Sequence, residues 1–402
     1  VPMRRVAGWV KPLNTAMSPA LARAVRDPDA VFEKALGKAE AGAGVGADID
    51  RAFIEDYRVL LRRFAKVRDI SFLGWTATAS ELQMRMENRL RIRRLHAEHP
   101  EIASEPIDRP IVVVGLPRTA TTLAHKVIAA PEGNRAPLMW EFHHADRFDI
   151  DPKLRQQRLA KARKISTAVN AITPIWETIH PSTAETPEEC VLALPHGLQW
   201  GTRFKLPGYR DWLAQHDFVP DYQYLKEFLQ VLQAGDRPRR WVLKSPFHLY
   251  NLEALLKVFP DAHILWTHRD PQTVMGSWCS LVETGTALCN RRYDPREIGS
   301  EWLDSLSWMV EQGRLARLGI PPERMVDVSY HQLTADPYGQ LPRIFERLEL
   351  EWSFREDGNL ETVLARPGMR RNHEYTLGRY GLDPDMVDQA FGDYTKLVAA
   401  IR

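Results

Sequence analysis

The sequence predicts an α/β fold: a parallel sheet with helices on both faces, to which a helical N-terminal region and a mostly helical insertion are added. Short, continuous, β-branched runs recur at Pro110-Ile-Val-Val-Val114, Trp241-Val-Leu243, Ala262-His-Ile-Leu-Trp-Thr267 and Met325-Val-Asp-Val328. Such runs mark strands buried on both faces. Helical patterns at 121–130, 249–257, 271–284 and 337–348 separate them, and strand alternating with helix builds a doubly wound sheet. About 125 residues, 115–239, lie between the first two runs, far more than one crossover needs.

Residues 1–105 form the helical N-terminal region, and 14–105 read as helices. From Glu81 to Leu95, Leu82, Met86 and Leu90 recur at four-residue spacing and mark one apolar face. Arg85, Arg89, Arg93 and Arg94 fall on other faces; no aromatic residues interleave them, so a solvated or salt-bridged face is favoured over nucleic acid. Residues 106–402 read as one α/β unit, within which 136–239 are a mostly helical insertion expected to cover a binding site. In it, Asp151–Ile172 reads as a helix carrying Lys153, Arg155, Arg158, Lys161, Arg163 and Lys164. A second, aromatic-rich helix runs from Asp221 to Ala234, and 383–400 reads as a closing helix.

The 402 residues are ample for a buried core. The balance of 54 basic against 52 acidic residues gives +2, so whole-chain charge predicts neither a nucleic-acid nor a membrane partner. No stretch of about 18 apolar residues occurs, and a soluble, cytoplasmic protein is expected. Cys190, Cys279 and Cys289 make neither a disulfide framework nor a CxxC metal pair. His143-His144 lacks ligand partners at metal spacing, so no metal is expected. Oligomeric state is open: the N-terminal helices either pack on the α/β unit or form a dimer surface.

The stretch Gly115-Leu-Pro-Arg-Thr-Ala-Thr-Thr122 joins a buried strand to a helix. Free N–H groups and the dipole at a helix N-terminus favour an anion. Arg118 adds a planar cation, and Thr119, Thr121 and Thr122 add hydroxyl donors. The nucleoside-triphosphatase signature GxxxxGK[ST] is missing: Ala120 precedes the threonine pair and no lysine does. Mg²⁺-dependent phosphoryl transfer is therefore disfavoured. The competing reading is an ordinary turn whose threonine caps the helix.

Further on come Trp241-Val-Leu-Lys244-Ser-Pro-Phe-His248 and His268-Arg269-Asp270-Pro271, with Ser277 two turns into the next helix. Arg269 follows a strand's carboxyl end, where open α/β sheets bind ligands. Asp270 and Pro271 suit a helix start. The spacing allows Ser277 and Arg269 to share one phosphate; alternatively Arg269 pairs with a local carboxylate.

The loop GLPRTATT resembles the phosphosulfate loop of sulfotransferases that use 3′-phosphoadenosine-5′-phosphosulfate (PAPS), in the branch reading Pro-Arg-Thr-x-Thr-Thr. The Arg-Asp-Pro with its following Ser is similar to that family's 3′-phosphate element. The resemblance covers about 110–131 and 240–337 well, and 365–382 weakly. It implies a P-loop-like fold of sulfotransferase type and transfer of sulfuryl from PAPS to a hydroxyl of a small-molecule, lipid or carbohydrate acceptor. Adenosine 3′,5′-bisphosphate (PAP) is the product. Arg118, Thr119, Ala120, Thr121 and Thr122 would hold the 5′-phosphosulfate, and Arg269 and Ser277 the 3′-phosphate. Tyr330 would approach the adenine. Arg118, Lys244 and His248 would be catalytic, with His248 as general base. The family usually has glycine at position 120; a methyl group there fits if the backbone keeps negative φ. The family's histidine usually follows the lysine by two positions, and here it follows by four. Glu141, His180 and the pair Glu188-Glu189 are further base candidates. Arg370 and Arg371 match a basic loop over the 3′-phosphate, with a solvated turn as the alternative. Trp140, Phe142, Trp176, Trp200, Phe204 and Trp212 line an acceptor pocket or pack the core. The rival functions are a P-loop kinase or nucleotide hydrolase, and a non-catalytic nucleotide-binding module on the same fold.

Overall fold

A computed structural model describes residues 5–365 and 376–401; Arg370 and Arg371 lie outside the described residues. Five parallel strands form one sheet: β1 (Ile111–Gly115), β2 (Asn134–Arg135), β3 (Arg240–Lys244), β4 (His263–His268) and β5 (Met325–Ser329), in the order β2-β3-β1-β4-β5. β1 is central. Val112 pairs with Leu243 on one side and with Ile264 on the other.

The β-branched run of β1 is continuous because both faces are covered. Val112 and Val114 face a core shared with the N-terminal helices, the insertion and the long helices after β4. Ile111 and Val113 face a second core built with Leu123, Val127, Val242, Leu265, Val326, Leu341 and Phe345. Each such side chain, fully buried, contributes about 1.5–3 kcal/mol. The alternation of a strand thus feeds two apolar layers at once.

The N-terminal region is helical, and it packs into the first core. Its longest helix, Phe72–Glu98, starts where Ser71 Oγ accepts from Gly74 N–H at 2.9 Å, and it buries Leu82, Met86 and Leu90. The arginines beside that stripe are salt-bridged. Arg85 meets Glu81 and the carbonyls of Val191 and Leu194. Arg89 and Arg93 both reach Glu227, each at 2.8 Å. They tie this helix to the insertion.

Beside the short helices Met139–His143, Trp176–Ile179 and Tyr209–Leu213, the insertion's two long helices span Pro152–Ile172 and Val219–Gln233. Asp151 caps the first, accepting from Lys153 and Leu154 N–H. Trp200, Phe204, Phe142 and Trp140 are buried as core. Three elements differ from expectation. The two-residue β2 joins the sheet edge. A 23-residue helix, Pro295–Arg317, packs Trp302, Leu306, Met309 and Val310 inward. The closing helix is two helices, Pro384–Phe391 and Asp393–Ile401, broken at Gly392, whose φ is +45°. Among the described residues, no helix is long and apolar enough to cross a membrane.

Candidate active site

Parallel strands end on the same side, so Gly115, Lys244, His268 and Ser329 deliver the loops that follow them to one edge of the sheet. The chain leaves β1 for β2 and β3 on one side, then passes back to β4 and β5 on the other. The carboxyl end of β1 is therefore the topological switch point, where such sheets bind ligands.

Gly115 sets the loop that begins there. Its φ is +139°, and a Cβ would stand 2.5 Å from the Thr267 carbonyl oxygen and 2.6 Å from Thr267 Oγ1. Only glycine permits this approach of β1 to β4. Thr119 closes the same seam. Its hydroxyl donates to the Leu116 carbonyl at 2.6 Å and lies 2.6 Å from Thr267 Oγ1. The Thr119 side chain is fully buried and turned inward, so what it offers a ligand is its backbone N–H.

Ala120 does not keep negative φ: it sits at +68°, and Arg118 at +71°. Left-handed residues thus flank Thr119. Alternating handedness turns successive N–H groups to one side, which makes an anion-binding nest. Each L-residue held this way costs roughly 1–2 kcal/mol, and the seam between Thr119 and Thr267 holds the loop against that cost. Among the described residues, no backbone acceptor meets the N–H groups of Arg118, Thr119 or Ala120. Thr121 and Thr122 open the Thr121–Ala129 helix, which no side chain caps; Thr121 is buried and Thr122 exposed. The first-turn N–H groups have no intrahelical acceptor and point toward the same loop.

Arg118 and Arg269 meet here. Arg118 Nε donates to Ser277 Oγ at 3.1 Å, and its Nη1 donates to the Ile179 carbonyl at 3.0 Å. Arg269 Nη1 donates to the Arg118 carbonyl at 3.0 Å, which ties the two strand-end loops directly. Its guanidinium carbon stands 3.9 Å from the ring centroid of Tyr330. Its buried Nε has no hydrogen-bond partner. The nearby carboxylate does not neutralise Arg269: Asp270 instead caps the Pro271–Cys289 helix, accepting from Gln272 and Thr273 N–H. Ser277 sits two turns along that helix and faces Arg118. Two guanidiniums beside free N–H groups are a site for a multiply charged anion.

Lys244, at the end of β3, is 1% exposed, and its Nζ lies 2.6 Å from Glu189 Oε1. Glu188 is buried and accepts from the Glu189 N–H at 3.0 Å; its other oxygen lies 3.3 Å from His180 Nε2. Burial alone would raise the Glu188 pKa, but His180 and then Lys244 outweigh it and hold the carboxyl below the ordinary range. Burial alone would lower His180, and Glu188 outweighs that and raises it. Ligand atoms of His180, Glu188 and Glu189 all lie within 4.8 Å of one another. The cation already among them is the Lys244 ammonium.

His248 is fully buried, with Nδ1 2.8 Å from the Tyr222 hydroxyl and Nε2 unpartnered. Burial and the charge of Lys244 push its pKa down to about 3, so it is neutral at pH 7. Glu141 is committed to Arg135 and to the Leu138 N–H. The structure therefore brings Arg118, Arg269, Ser277 and Tyr330 into one patch. It gathers Lys244, Glu188, Glu189 and His180 into a second, joined to the first through the Ile179 carbonyl. Glu188-Glu189 stands out in the sequence as an acidic pair, but its meeting with Lys244 depends on the path of the insertion, which periodicity does not reveal.

A profile of the sulfotransferase family matches residues 110–353. The chain belongs to the sulfotransferase family. It is an enzyme of sulfuryl transfer on the α/β fold that the sequence predicts. The sulfotransferase is 26% identical over 304 residues to the omega-hydroxy-beta-dihydromenaquinone-9 sulfotransferase Stf3 of Mycobacterium bovis, covering 71% of this chain and 74% of that one. Its fold matches the crystal structure of sulfotransferase STF1 from Mycobacterium tuberculosis with a TM-score of 0.78 and 29% identity, over 90% of this chain and 98% of that one. It matches sulfotransferase STF9 from Mycobacterium avium with a TM-score of 0.79 and 27% identity, over 91% and 96%.

Proposed function

We propose that this sulfotransferase takes sulfuryl from PAPS and passes it to the hydroxyl of an apolar alcohol, releasing PAP. One observation carries the reading: Arg118, Arg269 and Ser277 converge beside the left-handed loop, where N–H groups wait for an anion. The loop from Arg118 to Thr122 would hold the 5′-phosphosulfate. Arg269 and Ser277 would hold the 3′-phosphate. Tyr330, which backs the Arg269 guanidinium, would border the adenine.

The transfer is an in-line displacement. A bond forms between the acceptor oxygen and sulfur as the bond from sulfur to the 5′-phosphate oxygen breaks, and the hydroxyl proton passes to a base. Charge grows on the departing phosphate. Arg118, the loop N–H groups and Lys244 would stabilise it. His248 is the base that the family pattern implies. A second reading is favoured by its burial: Glu189 is half-buried, rests on Lys244, and has the Glu188–His180 pair behind it. As Lys244 turns to the departing oxygen, Glu189 would be freed to accept the proton. The acceptor class rests on the relative whose name specifies a hydroxylated menaquinone derivative.

Thermal shift tests the co-substrate. PAP at 100 times its dissociation constant should add about 2.7 kcal/mol of stability, and Arg269→Ala should remove most of that gain. A larger shift with ATP and Mg²⁺ than with PAP would refute the PAPS assignment and restore the kinase reading.

A further inference from the structure

The Pro152–Ile172 helix buries only Leu159 and Ala162. Twenty-one residues of helix, about 30 Å long, thus lie on the surface almost unpacked. Leu154, Ile165 and Val169 are exposed at 37%, 38% and 36%. At 100° per residue they fall, with Ile172, within about 60° of one another. Lys153, Lys161 and Lys164 run along one edge of this stripe; all are exposed, and no ion pair or hydrogen bond engages their ammonium groups among the described residues. The arginines of the same helix are occupied. Arg158 folds back on Asp146, Arg163 pairs with Glu185, and Arg155 meets the Phe148 carbonyl and ring. At the helix's far end the Ala7 N–H donates to the Ile172 carbonyl at 2.9 Å, and Trp9, 48% exposed, follows two residues on.

We propose that this helix and Trp9 form a docking surface for an anionic phospholipid bilayer. Free lysines beside an aliphatic stripe suit lipid: their stems lie along acyl chains while the ammonium groups reach the headgroup phosphates. A tryptophan at the edge suits the interface between headgroups and hydrocarbon. Nucleic acid is the poorer fit, because the stripe is aliphatic and the single ring of Trp9 at its end cannot stack successive bases of a strand. The surface is wired to the active site. Past Thr173 the chain forms the Trp176–Ile179 turn, whose last carbonyl accepts Arg118, and the next residue, His180, pairs with Glu188. An alcohol with an apolar tail resides in the bilayer, so this contact would present it to the catalytic edge. The docking surface stands apart from the transfer chemistry and is tested without it.

The whole chain is floated with vesicles of phosphatidylglycerol and phosphatidylcholine, and with phosphatidylcholine alone. It should float with the anionic vesicles only, and release as salt is raised toward about 0.5 M. Replacing Lys153, Lys161 and Lys164 together by Gln should weaken binding about a hundredfold, and Ile165→Asp with Val169→Asp should abolish it. Unchanged thermal melts and PAP shifts would show that both variants are folded, so a failed PAPS assignment and a failed docking surface read out separately. No flotation of the parent, or equal flotation by the lysine variant, overturns the proposal. A parent dimer lost in the aspartate variant, without vesicle binding, assigns the surface to a second copy of the chain and overturns it too.

Discussion

Ala120 occupies a backbone conformation that glycine adopts freely, and the strain is local to the loop proposed to hold the phosphosulfate. Ala120→Gly removes the Cβ penalty and adds chain entropy to the unfolded state, so the two effects oppose. The first is larger at +68°, and the variant should gain up to about 1 kcal/mol in urea or thermal unfolding. Its PAP affinity should fall, because a glycine loop is less rigid before binding. A loss of stability in Ala120→Gly would show that the loop is not strained as described. The question of the base is also settled at single residues. Glu189→Gln should lower kcat by about 10²–10⁴-fold while leaving the KM for PAPS nearly unchanged, if the carboxylate takes the proton. His248→Ala should do the same if the buried imidazole does. Whichever variant keeps near-parental turnover loses the role. Both residues were visible as candidates in the sequence. Their environments were not, because burial of His248 under Tyr222 and contact of Glu189 with Lys244 arise from chain segments 26 and 55 residues apart.

Strands and helices of the sheet were legible wherever packing leaves a continuous mark. β1, β3, β4 and β5 are covered on both faces, so each reads as an apolar run. β2 is Asn134–Arg135, two polar residues with no run to see. The Pro295–Arg317 helix carries a clear stripe at Trp302, Leu306, Met309 and Val310. It follows another helix rather than a strand, so the alternation that located its neighbours assigned it no place. The helix start at Asp270-Pro271 was legible because the capping chemistry is local. Asp270→Ala should cost about 1 kcal/mol of stability. It should also weaken PAP binding, since this end of the helix fixes both Arg269 and, two turns on, Ser277. Calorimetry with PAP on Asp270→Ala, compared with Asp270→Asn as a conservative cap, separates the two effects: the Asn variant should recover most of both.

The molecule as a whole joins its N-terminal helices, insertion and sheet through one core, and its pH response reflects what that packing buries. Glu301 lines a cavity of about 360 Å³ with Lys205, Arg210, Glu297 and Trp302. Burial, reinforced by Glu297, pushes its pKa from 4.5 up to about 7 against the pull of Lys205. The folded chain therefore holds this proton over a range in which the unfolded chain has lost it. The Glu301 contribution to stability therefore falls as pH rises from about 4.5 to 7, against the buried histidines His125, His144 and His248, whose lowered pKa values make stability rise over much of the same range. Glu301→Gln removes that one contribution, so going from pH 5 to pH 8 the variant should gain on the order of 1 kcal/mol relative to the parent, read from the difference between their melting temperatures at the two pH values. An unchanged pH profile would show the carboxyl to be solvated. The seam of Gly115 against Thr267 reaches further than either residue. With no side chain to act as a spacer, the loops after β1 and β4 are yoked together, and a bulkier neighbour at either point displaces both. Under the proposed binding mode, selection cannot then tune the two grips on the nucleotide independently: tightening or slackening one end drags the other with it.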